Sequence, residues 1–250
     1  MSESAQRVVE QVAVCFSQRH ALAWLYGQGS VITGFSTDSD LDFVAVWHRM
    51  PTAAVMPRGG GFAHHGELAL EQWRMDGYDV DVQHVPSATF ERWIGAVRRG
   101  KGWSGEQWPM PSHVAAGLAE GLLVVDSSGA GAELQARLQQ PEPVLVEAVV
   151  GQLSSVAPSF LSELESAWAK GDSWLHDLLA VRLHKMIYTA WFLIEGHYPP
   201  FPKHLSNWYQ RFGMDARVRQ IEEDYWAATD PRDRRLVLAE LVSAVLALYH

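Results

Sequence analysis

The sequence predicts an α/β (α+β) domain over residues 1–139, followed by an all-α helical bundle over residues 140–250. Three observations lead there. The first half alternates short apolar runs, bounded by Gly and Ser/Asp clusters, with stretches of helical spacing. The second half keeps a helical period throughout. Between them, Gln139-Gln140-Pro141-Glu142-Pro143 sets two prolines in polar surroundings and reads as a linker.

Taken in order, Ser4 to His20 carries Val8, Val12, Cys15 and Phe16 at helical spacing. Ala21 to Tyr26 is an apolar strand that runs out into Gly27 and Gly29-Ser30. Ser30 to Gly34 is one helical turn, and Leu41 to Trp47 is a second buried strand. Met50 to His65, with Gly59-Gly60-Gly61, reads as an exposed loop. Its His64-His65 pair is not a metal site on this reading, because adjacent residues share no face on a regular element and no third ligand lies nearby in sequence. Glu67 to Trp73 is a further strand. In Gly77 to Pro86, Tyr78, Val80 and Val82 alternate with Asp79 and Asp81, which puts both acids on one face of a strand. Ser87 caps a helix over Thr89 to Val97; a helix follows at His113 to Glu120, a strand at Gly121 to Asp126, and a helix from Ala132.

Beyond the linker, Val144 to Lys170 is one long helical pattern, broken by Gly171-Asp172. Trp174 to Glu195 is the next, with apolar Leu178, Leu179, Val181, Ile187, Trp191 and Leu193. Gly196 stops it, and Pro199-Pro200-Phe201-Pro202 bars helix re-entry until Lys203. The last helix opens at Asp230-Pro231, a cap followed by Pro at the first helical position, with apolar Leu236, Leu241, Val242, Val245 and Leu248.

Composition narrows the function classes. The chain is 48% hydrophobic and 20% charged, which suits a globular protein. A net charge of −9 argues against a broad basic surface for nonspecific nucleic-acid binding, and clusters such as Arg98-Arg99-Gly100-Lys101 are too short to change that. A single cysteine, Cys15, leaves no internal disulfide and no cysteine-based zinc site. The N-terminus lacks the order of a signal peptide, and no apolar run approaches bilayer-crossing length, so the expectation is a cytoplasmic chain with no membrane partner. The 11 tryptophans suit core packing or a pocket lining. The helical half would also supply a dimer face, so monomer and homodimer both stay open.

The chemistry gathers in Leu25 to Val46. Asp40 and Asp42, two apart at the start of a strand, point the same way. Two same-facing carboxylates repel unless a cation lies between them, and Mg2+ binds through one or two carboxylates plus substrate phosphates. Gly29-Ser30, where the preceding strand ends, lets backbone amides approach a phosphate. A metal held on one side thus bridges to a nucleotide held on the other.

Gly29-Ser30, nine residues, then Asp40-Leu41-Asp42-Phe43 resembles the signature of the DNA polymerase beta-like nucleotidyltransferase superfamily, which includes aminoglycoside, lincosamide and minimal nucleotidyltransferases. One departure is visible: Thr33 stands where many relatives carry an Arg before the glycine at the position of Gly34. The resemblance implies a mixed sheet flanked by helices and a third carboxylate from a neighbouring strand. Asp81 is the choice, because Val80-Asp81-Val82 with Val85 resembles that family strand; Asp79 is the alternate. It implies transfer of a nucleoside monophosphate from a nucleoside triphosphate, ATP by family frequency, to a hydroxyl acceptor. Two Mg2+ ions would be held by Asp40, Asp42 and Asp81, while Gly29 and Ser30 seat the phosphates. In the second half, Arg182-Leu-His-Lys185, Gly196-His-Tyr-Pro-Pro200 and Pro202-Lys203-His-Leu205 are similar, more loosely, to the helical domain of a group of uncharacterised nucleotidyltransferases. That makes Lys203, Arg182 and Lys185 candidate nucleotide contacts.

Two rival readings remain. One is a nucleotide-binding regulatory or antitoxin-like protein with little catalysis, prompted by Thr33 and the unsettled third acid. The other is a metal-dependent glycosyltransferase using Asp-x-Asp, which leaves the Gly29-Ser30 turn without a task. The acceptor is open among an aminoglycoside, a lincosamide-like drug, a small metabolite and a protein hydroxyl.

Overall fold

The computed structural model describes residues 1–56, 60–104 and 108–250. In chain order the first part holds α1 (Glu3–Ser17), β1 (Leu22–Gln28), α2 (Gly29–Thr33), β2 (Leu41–Trp47), β3 (Gly61–His65), β4 (Leu68–Met75), β5 (Tyr78–Pro86), α3 (Ser87–Arg98), α4 (Pro111–Ala119), β6 (Leu122–Val125) and α5 (Ala130–Arg137). The second part holds α6 (Pro143–Ala169), α7 (Ser173–Ile194), α8 (Leu205–Phe212), α9 (Ala216–Ala227) and α10 (Pro231–Ala247). The chain forms two compact units, Met1–Val97 with Glu106–Gln139 and Arg98–Gly105 with Gln140–His250. The segment that starts at Arg98 is tied into the second unit by Arg98 Nε, which donates to Glu142 Oε1 at 2.7 Å.

The first unit is built on a six-stranded sheet of order β3-β4-β5-β2-β1-β6. It is mixed: β2 and β5 run parallel, while the other pairs are antiparallel. One face carries Leu25, Phe43, Ala45, Trp47, Val80 and Val82, buried in one cluster with Ala5, Val8, Val12 and Phe16 of α1. The side chains of α1 that meet it recur at helical spacing, and Ser2 caps the helix by accepting from the Ala5 amide. On the other face, Trp24 and Tyr26 meet Phe90 of α3 edge-on, with ring centroids 5.6 and 6.2 Å apart.

A buried polar network crosses the α1-facing side of the sheet. Trp47 Nε1 donates to His84 Nδ1 at 3.1 Å, so the other ring nitrogen carries the proton and donates to Glu71 Oε2 at 3.1 Å. The same carboxylate accepts from the amides of Val55 and Met56, each at 2.9 Å, which anchors the segment after β2. Glu71 and His84 are both fully buried. Burial alone would raise the Glu71 carboxyl. The hydrogen bonds from His84, Val55 and Met56, with the attraction of His84, outweigh it and hold Glu71 below its ordinary value.

Several expectations change. The last five residues of the expected Met50–His65 loop form β3. Its side chains are mostly exposed, with Phe62 half-buried against the His84 ring at a centroid distance of 5.6 Å, so no apolar alternation marks it. Gly59 of the expected glycine loop lies outside the described residues. Ser87 lies within the first turn of α3.

From Gln140 on, every regular element of the second unit is a helix, with α6 packed along α7 and α10. Asp172, Asp215 and Asp230 each accept a hydrogen bond from an amide in the first turn of the helix they precede. Between Lys203 and Asp230, where no separate element is expected, lie α8 and α9. Val181 and Leu236, expected in apolar stripes, are 65% and 57% exposed. The buried stripe of α10 is Leu238, Leu241, Val242 and Val245, spaced for one helix face. Glu222 is buried in this unit, accepting from Tyr209 Oη at 2.9 Å and lying 3.4 Å from His184 Nε2. Burial, then the neighbouring Glu222 charge, push the Tyr209 phenol above its ordinary range.

The expectation that no run approaches bilayer-crossing length is corrected by α6. It has 27 residues and a mean hydropathy of 1.5 over its most apolar window, enough by length and composition to span a bilayer. Serines, Gln152 and acidic residues interrupt the helix, so no unbroken apolar run marks it. Its exposed positions include Gln152, Ser154, Ser155, Ser159, Glu163 and Glu165, while Leu145, Val149, Leu153 and Leu164 are buried.

Candidate active site

Sheet register assembles the site. Gln72 of β4 pairs with Asp81 of β5, Asp81 with Asp42 of β2, and Asp42 with Gln28 of β1. Directly paired residues on neighbouring strands share a face, so Gln72, Asp81, Asp42 and Gln28 form one polar row, with strands about 4.8 Å apart. Asp42 and Asp81 are half-buried. Asp40 is exposed, two residues before Asp42 and just outside β2.

The chain leaves β1 at Gln28 and enters α2 at Gly29, so the opening amides of that helix begin next to the row. A helix cannot satisfy its own first amides. Gly29 has φ +86°, and a Cβ there would fall 2.5 Å from Asp42 Oδ2. Only glycine allows both the backbone conformation and the approach of that carboxylate. Gly29→Ala is therefore expected to cost about 1–3 kcal/mol of stability and to displace Asp42. Thermal unfolding and nucleotide titration check this; wild-type values in both would contradict the close packing.

Ser30 is half-buried in the same turn, and its carbonyl accepts from the amides of Phe35 and Ser36 at 2.7 and 3.1 Å. Thr33, the departure from the expected arginine, turns its Oγ1 back onto the carbonyl of Gly29 at 2.9 Å and that of Ser30 at 3.2 Å. It stiffens the turn and brings no positive charge. At the other edge of β1, the Gln28 amide oxygen lies against α4. A Cβ at Gly117 would collide with it, so the glycine leaves room for this side chain.

The two acids left open on β5 have different surroundings. Asp81 is the register partner of Asp42 and accepts from Gln72 Nε2 at 3.0 Å. Asp79 precedes the β2–β5 ladder, which starts at Leu41 and Val80, and its carboxylate lies 3.8 Å from Arg74 Nε with both side chains largely exposed. An ion pair that open to water is worth little.

Among the described residues, no three His, Cys, Asp or Glu side chains are gathered closely enough to enclose a metal ion. Asp42 and Asp81 instead stand side by side as two carboxylates on neighbouring strands. That suits Mg2+, which keeps waters and takes phosphate oxygens for its remaining positions. The tight seat of Asp42 Oδ2 against Gly29 puts the amides that suit a phosphate beside the carboxylate that suits the metal. Arg182, Lys185 and Lys203 belong to the second unit, where all three are exposed.

Sequence reasoning missed Gln28 and Gln72. Glutamine in a strand carries no motif, and only the pairing register puts these two beside the acids.

No protein-family model matches the chain, and no curated protein matches it. Among solved structures it is similar to a nucleotidyltransferase-like protein from Exiguobacterium sibiricum 255-15, determined at 1.90 Å. The match has 11% sequence identity and a TM-score of 0.48, and covers 98% of this chain and 74% of that one. A likeness of that size assigns no activity.

Proposed function

We propose that the chain is a nucleotidyltransferase moving a nucleoside monophosphate, AMP by preference, from a nucleoside triphosphate to a hydroxyl on a small molecule or protein. The observation that carries this reading is the row in which Asp42 stands between Asp81 and the Gln28-Gly29 exit of β1. Acid pair and phosphate-facing turn are adjacent, as the transfer requires.

In the proposed reaction, an acceptor oxygen attacks the α-phosphorus. A new P–O bond forms, the bond to pyrophosphate breaks, and the hydroxyl proton passes to Asp81. Two Mg2+ ions, when bound, supply charge neutralisation for the triphosphate and the attacking oxygen. Asp42 and Asp81, with Asp40, would hold them. Gly29 and Ser30 would seat the terminal phosphates through backbone amides. The protein does little covalent work in such a step; alignment and charge carry it. Arg182, Lys185 and Lys203 enter the proposal as triphosphate contacts, tested singly by Lys203→Met, Arg182→Met and Lys185→Met through KM for ATP.

An acceptor screen with labelled ATP tests the whole reading. Pyrophosphate release that depends on a supplied acceptor and on Mg2+ is the expected result. Thr33 favours a second reading, a nucleotide-binding regulator: bonded back onto its own turn, it offers the phosphates no charge. Tight calorimetric binding of ATP with Mg2+, with no pyrophosphate from any acceptor, would select that reading instead.

A further inference from the structure

We propose that Gln72 is a positioning residue that holds Asp81 ready for a divalent cation without neutralising it. The inference rests on the proposed nucleotidyltransferase site and concerns how its second carboxylate is set.

Strand β4 presents two donors toward β5 on one face. Gln72 and Arg74 are two apart, and their register partners are Asp81 and Asp79. Gln72 Nε2 donates to Asp81 Oδ1 at 3.0 Å, whereas Arg74 Nε faces Asp79 Oδ1 at 3.8 Å. The two donors act differently. An arginine brings a positive charge beside its acid, which opposes the binding of a second cation there. A neutral amide fixes one carboxylate oxygen by a hydrogen bond and leaves the negative charge in place, with Oδ2 for a cation. Asp81 is the acid aligned with Asp42, and it receives the neutral donor; Asp79 lies outside the β2–β5 ladder and receives the cationic one. The β4–β5 pair thereby sets a neutral donor beside the acid aligned with Asp42 and a cationic one beside the exposed acid outside the ladder. The same logic governs outer-shell partners of metal ligands generally: they orient the ligand and set its strength.

The test measures Mn2+ binding by electron paramagnetic resonance, which needs no turnover. It uses the full chain as wild type, Gln72→Leu, Asp81→Asn, the double variant, Arg74→Leu and Asp42→Asn. Gln72 is exposed, so its leucine variant is expected to fold, with the wild-type unfolding temperature as control. Gln72→Leu is expected to weaken Mn2+ binding about tenfold, to have no further effect on top of Asp81→Asn, and to leave KM for ATP unchanged while kcat falls. Arg74→Leu is expected to bind Mn2+ as wild type does. Non-additivity with Asp81 is the signature of action through that residue, which general damage to the strand would not give. Wild-type Mn2+ affinity in Gln72→Leu, or a loss that adds fully to that of Asp81→Asn, would overturn the inference while Asp42→Asn still loses binding. Wild-type affinity in Asp42→Asn would overturn the proposed site and the inference with it.

Discussion

Asp42→Asn is expected to lower the rate of nucleotidyl transfer by at least about 10²–10³-fold, the size of effect that follows loss of one preorganised charge-stabilising group. The substitution keeps the side chain's shape and removes its charge. Asp42 is half-buried beside Asp81, and without a cation those two carboxylates repel each other. Removing one of two like charges directly opposite on a strand pair relieves a repulsion of up to about 1 kcal/mol. With Mg2+ and ATP present, wild type should gain stability from the bound complex and the variant should not. Pyrophosphate release and thermal unfolding, each with and without Mg2+, give the four numbers needed. Wild-type turnover in Asp42→Asn would remove the acid pair from the chemistry.

Glu71→Ala should be the most damaging substitution in the first unit. Removing the carboxylate leaves the Val55 and Met56 amides and the His84 donor without their partner, in a place water does not reach. Breaking a buried, hydrogen-bonded charge of this kind costs about 3–5 kcal/mol, and at roughly 2–4 °C per kcal/mol the unfolding temperature falls by about 10 °C. Hydrogen exchange at Val55 and Met56 should rise first, since those amides lose their acceptor directly. The pH dependence follows from the same contacts. The folded Glu71 is held below its ordinary value near 4.5, so the unfolded chain binds the extra proton first. Its contribution is complete above that value and is lost as the pH falls below it. Acid unfolding below pH 4.5 should be steeper in wild type than in Glu71→Gln; identical acid limbs would show that Glu71 is not the group responsible.

The two networks explain why the site stands where it does. Residues of β2, β4 and β5 alternate between faces, so the same three strands that bury Trp47, His84 and Glu71 on one side present Asp42, Gln72 and Asp81 on the other. Fixing the register through the buried trio fixes the polar row as well. A one-residue slip would exchange the faces, burying acids and exposing the core. Glu71→Ala is therefore expected to weaken the site indirectly, through register and the loop after β2, while Asp42→Asn leaves the register alone.

The Leu41–Trp47 strand was readable to the residue, because an apolar run between polar boundaries has one simple interpretation. The last helix was readable at its start, because Asp followed by Pro is a local cap signal. By contrast, β3 has a single half-buried side chain, Phe62, among exposed ones, so its backbone pairing is announced by no apolar alternation. In the last helix the expected apolar set holds for Leu241, Val242 and Val245 but not for Leu236 and Leu248, which are exposed, because spacing gives the period of a helix and not which neighbours cover it.

The sequence by itself determined the alternation of strands and helices, the helical second half, and the pairing of Gly29-Ser30 with Asp40 and Asp42. These are local facts, set by residue type and spacing along the chain. Only the tertiary structure decided that Asp81 stands beside Asp42, that Asp79 faces Arg74, and that Gln28 and Gln72 complete the row. Register between strands comes from burial of the opposite face and from contacts far apart in the chain, and no short stretch of residues encodes it.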